Sequence, residues 1–119
     1  MELMDMQEAL KIIEDNYYAA NDSFSFFLHE RDRFCADKFE ALCQSVEALA
    51  ACSDDAVLTR KITHCYQNIL KEIIYHFNPN DSSVIADMPE NYAEYLENFD
   101  CALARYYAGS ELKQQTLTK

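Results

Sequence analysis

Apolar residues recur along this chain with the period of an α-helix, in four segments separated by clusters of Asn, Asp, Ser and Pro. In the first segment Met6, Leu10, Ile13 and Tyr17 follow one another at intervals of four, three and four. That spacing aligns them on one face of a helix expected over Leu3 to Ala20. Asn21-Asp22-Ser23 closes this helix and offers an N-cap to the next. In the second segment Phe24, Phe27, Leu28, Phe34, Cys35, Phe39, Leu42, Val46 and Leu49 hold the period as far as Ala51. Such a helix would be roughly 42 Å long at 1.5 Å per residue, against a radius of gyration of about 13.5 Å for a globule of this size. It must run the length of the molecule or bend. The polar run His29-Glu30-Arg31-Asp32-Arg33 is where a bend is expected, although no Pro or Gly forces one.

Ser53-Asp54-Asp55 caps a third helix, expected over Asp55 to Phe77 with Leu58, Ile62, Cys65, Ile69, Ile73 and Phe77 on its inner face. Asn78-Pro79-Asn80-Asp81 ends it, because the residue before a proline leaves the α region. Asn78 to Met88 is the one substantial loop, with Val84 and Ile85 expected to tuck against the core. The fourth helix is expected to open at Asp87-Met88-Pro89-Glu90. Asp87 and Glu90 have capping-box spacing there, and Pro suits a first turn. Tyr92, Leu96, Phe99, Leu103 and Tyr106 would face inward, and Gly109 reads as the C′ residue. The expected architecture is all-α: a single-domain, antiparallel four-helix bundle with a long second helix, over residues 1–109. A polar C-terminal tail over 110–119 would fray from it.

Composition sharpens the class. One glycine and two prolines in 119 residues leave too few turn formers for a sandwich, a barrel or a doubly wound sheet, and no Gly-rich phosphate loop. The net charge of −11, from 21 acids against 10 Lys and Arg, removes the basic footprint of a nucleic-acid binder and sets the chain against anionic membranes. No apolar run approaches the ~20 residues of a membrane span. Five cysteines are an odd number, and no apolar targeting segment follows a basic N-terminus, so a cytoplasmic protein with reduced thiols is expected. Cys35, Cys43, Cys65 and Cys101 read as small core residues, with Cys52 at a helix end.

The charge is unevenly placed. Residues 1–30 carry seven acids against Lys11, and residues 72–104 carry seven acids with no Lys or Arg. In an up-down-up-down bundle the first and last helices are neighbours, so these two stretches would merge into one negative surface. Glu90, Glu94 and Glu97 are spaced four and three apart, a stripe of like charges that costs roughly 0.2–0.5 kcal/mol per pair. Either the stripe is a plain solubilising face, or it is kept negative for a basic partner. The expected partner-binding set is Asp87, Glu90, Glu94, Tyr95 and Glu97 on the fourth helix, with Glu8 and Asp15 on the first. Tyr95 is included as an exposed tyrosine, a residue favoured at interfaces.

Catalytic and metal chemistry find no pattern to stand on. Glu72 and His76 lie four apart on the third helix, but a carboxylate-bridged metal site needs Glu-x-x-His from two helices. His64 and Cys65 are adjacent and diverge by about 100° on a helix, and no serine stands in a nucleophile elbow. No cofactor, no metal and no enzymatic activity are expected.

Small size, an all-helical pattern, strong acidity and the lack of a catalytic motif together resemble the helical immunity proteins of bacterial toxin–immunity systems, including those of contact-dependent inhibition. The resemblance is to the general character of the whole chain, and no family residue is carried over. It implies a cytoplasmic inhibitor that binds one basic, nuclease-type toxin and blocks its active site, with no direct contact to nucleic acid. Two other readings fit the same features. One is a phage-type inhibitor or nucleic-acid mimic that binds a host nucleic-acid-binding protein. The other is a structural or adaptor subunit whose acidity serves solubility.

Overall fold

The computed structural model describes residues 4–80 and 84–117, with side chains as far as Gly109, and contains no strand among them. Five α-helices follow in order: α1 Met6–Tyr17, α2 Phe24–Glu30, α3 Ala36–Ala48, α4 Ala56–Phe77 and α5 Tyr92–Leu117. A 3-10 turn, Ala50–Cys52, lies between α3 and α4. The expected start at Leu3 and the Asp81 end of the Asn78-Pro79-Asn80-Asp81 stop lie outside the described residues. The fold is one elongated domain, 55 × 28 × 25 Å, with a radius of gyration of 15.1 Å.

Local chemistry sets most of the helix ends. Asp5 accepts from the Gln7 N–H, Ser23 from Phe26, and Asp55 from both Val57 and Leu58, so α1, α2 and α4 each begin on a side-chain cap. α4 stops at Phe77, where Asn78 turns extended before Pro79. α1 ends at Tyr17 rather than Ala20, because the Ala19 and Ala20 N–H groups fold back onto the Asn16 and Asp15 carbonyls. This is a Schellman closure with Ala19 at φ 52° in the position glycine usually holds.

The second segment is two helices rather than one. α2 stops at Glu30 and α3 starts at Ala36, with Asp32 between them at φ 52°. The interruption falls on the polar run singled out above. It is closed locally, by the Arg33 N–H donating to the Phe27 carbonyl at 3.0 Å, and from some fifty residues downstream: the Phe34 N–H donates to Asp87 Oδ1 at 2.6 Å, and the Ala86 N–H donates to the Asp32 carbonyl at 2.7 Å. Asp87 therefore serves this latch, not a capping box with Glu90. Glu90 lies in a turn, and α5 begins at Tyr92, where the Tyr92 N–H meets the Pro89 carbonyl.

Gly109 corrects a second expectation. α5 passes straight through it to Leu117, so the residues read as a tail begin in helix. No glycine has positive φ. A Cβ at Gly109 would fall 2.7 Å from the Ala50 carbonyl carbon and closer still to its oxygen, so the residue is small because helix and 3-10 turn touch there.

The core runs through all five helices. Phe24, Phe34, Phe39, Phe99 and Tyr106 form its aromatic part, with Ile13, Leu28, Leu42, Ile62 and Ile69 around them. On α1 the buried stripe is Ala9, Ile13 and Asn16, leaving Met6 and Leu10 exposed. Asn16 is satisfied in the interior: its Nδ2 donates to the Ile12 carbonyl, and its Oδ1 accepts from the Ser25 N–H. Ile85 tucks into the core, whereas Val84 faces out.

Candidate functional site

α5 packs on α3 and on the 3-10 turn, and it lies against α4 through large side chains. Tyr106 meets Thr59, Tyr107 meets Thr63, Phe99 stacks on Tyr66, and Tyr92 meets Phe77. Positions rise along α4 as they fall along α5, so these two helices run antiparallel. α1 instead packs chiefly on α3 and α4. The acidic segments at the two ends of the sequence therefore do not merge across a principal α1–α5 seam. Asp15 is spent locally. Burial acts to raise its carboxyl, but hydrogen bonds from Lys11 and Asn21 outweigh that and hold it below the usual range. Glu8 is exposed on α1, which packs chiefly on α3 and α4.

What α5 brings together is narrower and better defined. Glu94 and Glu97 are exposed on its outer side, with Asp100 exposed toward α4. The Asp100 carboxylate acts with burial to push the Tyr66 phenol up. Arg105, the one base on the described side chains of α5, is bonded at 2.8 Å to Glu47 of α3, so it does not neutralise the stripe. Glu94 accepts from the Asn91 side chain at 3.1 Å, and no base pairs with Glu90, Glu94, Glu97 or Asp100 among the described residues. Tyr95 is not the exposed anchor expected. Its ring sits 5.1 Å from Phe34 and 5.4 Å from Phe39, edge-on in the aromatic core. Cys101, expected inside, is exposed on the acidic side instead, and Cys52 packs against the core. All five cysteines are free.

Toward its C-terminal end α4 carries exposed apolar surface that the sequence reading missed. Ile74 is 63% exposed and Phe77 54% exposed, with Tyr107 at the far end of the seam. Ile74 could have been found: it stands one residue off the Leu58–Ile62–Cys65–Ile69–Ile73 stripe, an apolar residue with no core position to fill. Phe77 continues that stripe past the end of the core, where the Tyr92 and His76 rings meet it.

A second feature is a cleft between the C-terminal end of α1, α2 and the middle of α4. Across it, His29 Nδ1 meets Glu72 Oε1 at 2.8 Å, which with the Glu72 charge raises the His29 pKa above its ordinary value despite some desolvation. Glu72 thus reaches a histidine 43 residues away rather than His76, whose Nδ1 accepts from the Ile85 N–H. Among the described residues no three His, Cys, Asp or Glu side chains converge as metal ligands, and no helix is long and apolar enough to cross a membrane.

The chain matches no known protein family, no curated protein sequence and no solved structure.

Proposed function

We propose that this protein is an acidic, protein-binding inhibitor: an immunity protein that acts in the cytoplasm and neutralises a basic, nuclease-type toxin by covering its active site. The observation that carries this reading is the α4–α5 face. There Ile74 and Phe77 are exposed on α4, and the outer side of α5 exposes Glu94, Glu97 and Asp100, which no base pairs among the described residues. An apolar patch with a single-sign charged border is the composition of a protein interface, the apolar part supplying affinity and the charge supplying orientation and rapid encounter. The basic groups with which a nuclease grips phosphate would meet carboxylates there instead. The protein acts by occupation and holds no chemistry of its own in this reading. Its partner-binding residues are Glu94, Glu97, Asp100, Ile74 and Phe77, with Glu90 at the margin.

The test is affinity capture from the native host with the wild-type chain, with Glu94→Lys/Glu97→Lys and with Ile74→Ser as baits. The reading expects one basic protein retained by the wild type, lost from both variants, and inhibited as a nuclease by the purified wild type. Arg60→Glu, an exposed site about 21 Å from Ile74 along α4, serves as the control and should retain it. A partner that is neutral or acidic, or that binds the reversed variant as tightly, refutes the reading.

A further inference from the structure

The cleft between α1, α2 and α4 has a volume of about 510 Å³, within the range of small-ligand sites. None of its lining belongs to the α4–α5 face. Three tyrosines line it, Tyr17 and Tyr18 from the end of α1 and Tyr75 from α4, together with the carboxylates of Glu30 and Glu72. Ser25 also lines it, and it is only 7% exposed, so more than nine-tenths buried. Its backbone N–H is taken by Asn16, but its Oγ has no hydrogen-bond partner. A buried hydroxyl left unpaired costs about 1–3 kcal/mol, which marks it as a group awaiting a partner.

The lining favours a cation. The C-terminal end of α1 brings the negative pole of its dipole to Tyr17, Tyr18 and Ala19 on the rim. The charges facing the cleft are Glu30 and Glu72 on one side of the balance, and Lys71 and His29 on the other. Lys71 is exposed, and His29 stands 2.8 Å from Glu72 and 3.8 Å from Glu30, so an incoming cation competes with this one imidazole for both carboxylates. The same tyrosines already draw a cation from the chain itself: Lys61 Nζ stands 5.5 Å from the Tyr17 ring centre and 5.9 Å from that of Tyr18.

We propose that this cleft binds an organic cation bearing N–H donors, an alkylammonium or guanidinium group. Its donors go to Ser25 Oγ and to the Glu72 carboxylate, and its alkyl stem lies along Leu28, Ile69 and the Tyr75 ring. Two sources share that chemistry: a free polyamine, or the lysine or arginine side chain of a protein.

Amide NMR of the full chain at fixed ionic strength tests this, with spermidine, N-acetyl-arginine methylamide and N-acetyl-lysine methylamide as probes and sodium citrate as the anionic counter-probe. Saturable shifts are expected at Ser25, Asn68 and Glu72. Glu72→Gln should weaken binding about tenfold, and Ser25→Ala by about threefold. Tyr75→Ala, an exposed change that leaves the fold intact, should weaken it about fivefold, while Glu40→Gln, an exposed carboxylate on α3 outside the cleft, should leave it unchanged. Spermidine binding more than tenfold tighter than both capped residues assigns the cleft to a free polyamine. Comparable or tighter binding of the capped residues assigns it to a protein side chain. The proposal is overturned if citrate saturates the cleft and the cations do not, if the cations shift the α5 stripe equally, or if both Glu72→Gln and Tyr75→Ala bind as the wild type does. The α4–α5 face is tested separately, by partner capture with its own variants.

Discussion

Gly109→Ala sets two effects of opposite sign against each other. Alanine is the better helix former by about 1 kcal/mol in a helix interior, and Gly109 is interior, with α5 continuing to Leu117. On propensity alone the substitution should stabilise. Against this, the new Cβ lands 2.7 Å from the Ala50 carbonyl carbon and nearer to its oxygen, and the obstacle is backbone that no rotamer change removes. Either α5 lifts away from the 3-10 turn by about an ångström, or the turn gives way, and both loosen the contact that holds the C-terminal half of α5. Forcing a methyl into a packed contact costs about 1–3 kcal/mol, to which the part of the propensity gain that survives is opposed. The net expectation is a loss of about 1–2 kcal/mol. At roughly 2.1 cal/mol/K per residue over a chain of this length, that lowers the melting midpoint by about 4–8 °C. Urea unfolding followed by circular dichroism measures the free energy directly, and Ala108→Gly provides the control in which propensity acts nearly alone. A Gly109→Ala variant more stable than wild type by about 1 kcal/mol would show that α5 stands clear of Ala50, and the argument would fail.

Three further outcomes follow from the geometry. Ala19→Gly should raise stability by about 1 kcal/mol in the same urea assay, since Ala19 sits at φ 52° in a Schellman closure where a Cβ is strained. Asp87→Ala should cost about 1–3 kcal/mol by leaving the Phe34 N–H unpaired, whereas Glu94→Gln and Glu97→Gln should stay within about 0.5 kcal/mol, which separates latch from surface by thermal melting. Burial pushes the Cys65 thiol up to about 12, from 9.0, so the native state keeps a proton the unfolded chain gives up. Stability linked to this group is intact below pH 9 and is lost between about 9 and 12, by up to about 1.4 kcal/mol per pH unit, and alkaline unfolding of Cys65→Ala should begin later.

Much of the helix plan was legible because its causes are local. Ser23 and Asp55 cap helices within three residues of themselves, and Pro79 stops α4 from two residues away. The break between α2 and α3 was legible as a place but not as an event, because the groups that satisfy it, Asp87 and the Ala86 N–H, are distant in sequence. On α1 the apolar period pointed to Met6 and Leu10. The stripe actually buried contains Ala9 and a polar Asn16, whose partners Ile12 and Ser25 only the fold supplies. Gly109 was misread for a related reason. A lone glycine after a helical run suggests a left-handed cap, whereas here the left-handed positions fall to Ala19, Asn21, Asp22 and Asp32 and the glycine answers to a neighbouring backbone. At the candidate site, Glu94 and Glu97 could be read off their spacing. Tyr95 could not, since only its position against Phe34 and Phe39 separates a core ring from an exposed one.

The latch at Asp87 also orders events in time. Residues 24 to 48 hold one helical period and contain no Gly or Pro, so before the downstream partner is made only the local closure of Arg33 onto the Phe27 carbonyl opposes a continuous helix. The latch adds bonds from a loop some fifty residues later, a contact whose closure entropy must be met before those bonds reward it. A peptide of residues 22–52 alone would therefore be helical straight through Arg31 to Cys35. In the whole chain, substitutions at Asp87 should change the unfolding rate and leave the folding rate almost untouched. The bonds that Asp87 and Ala86 make to the break between α2 and α3 should be among the last to form.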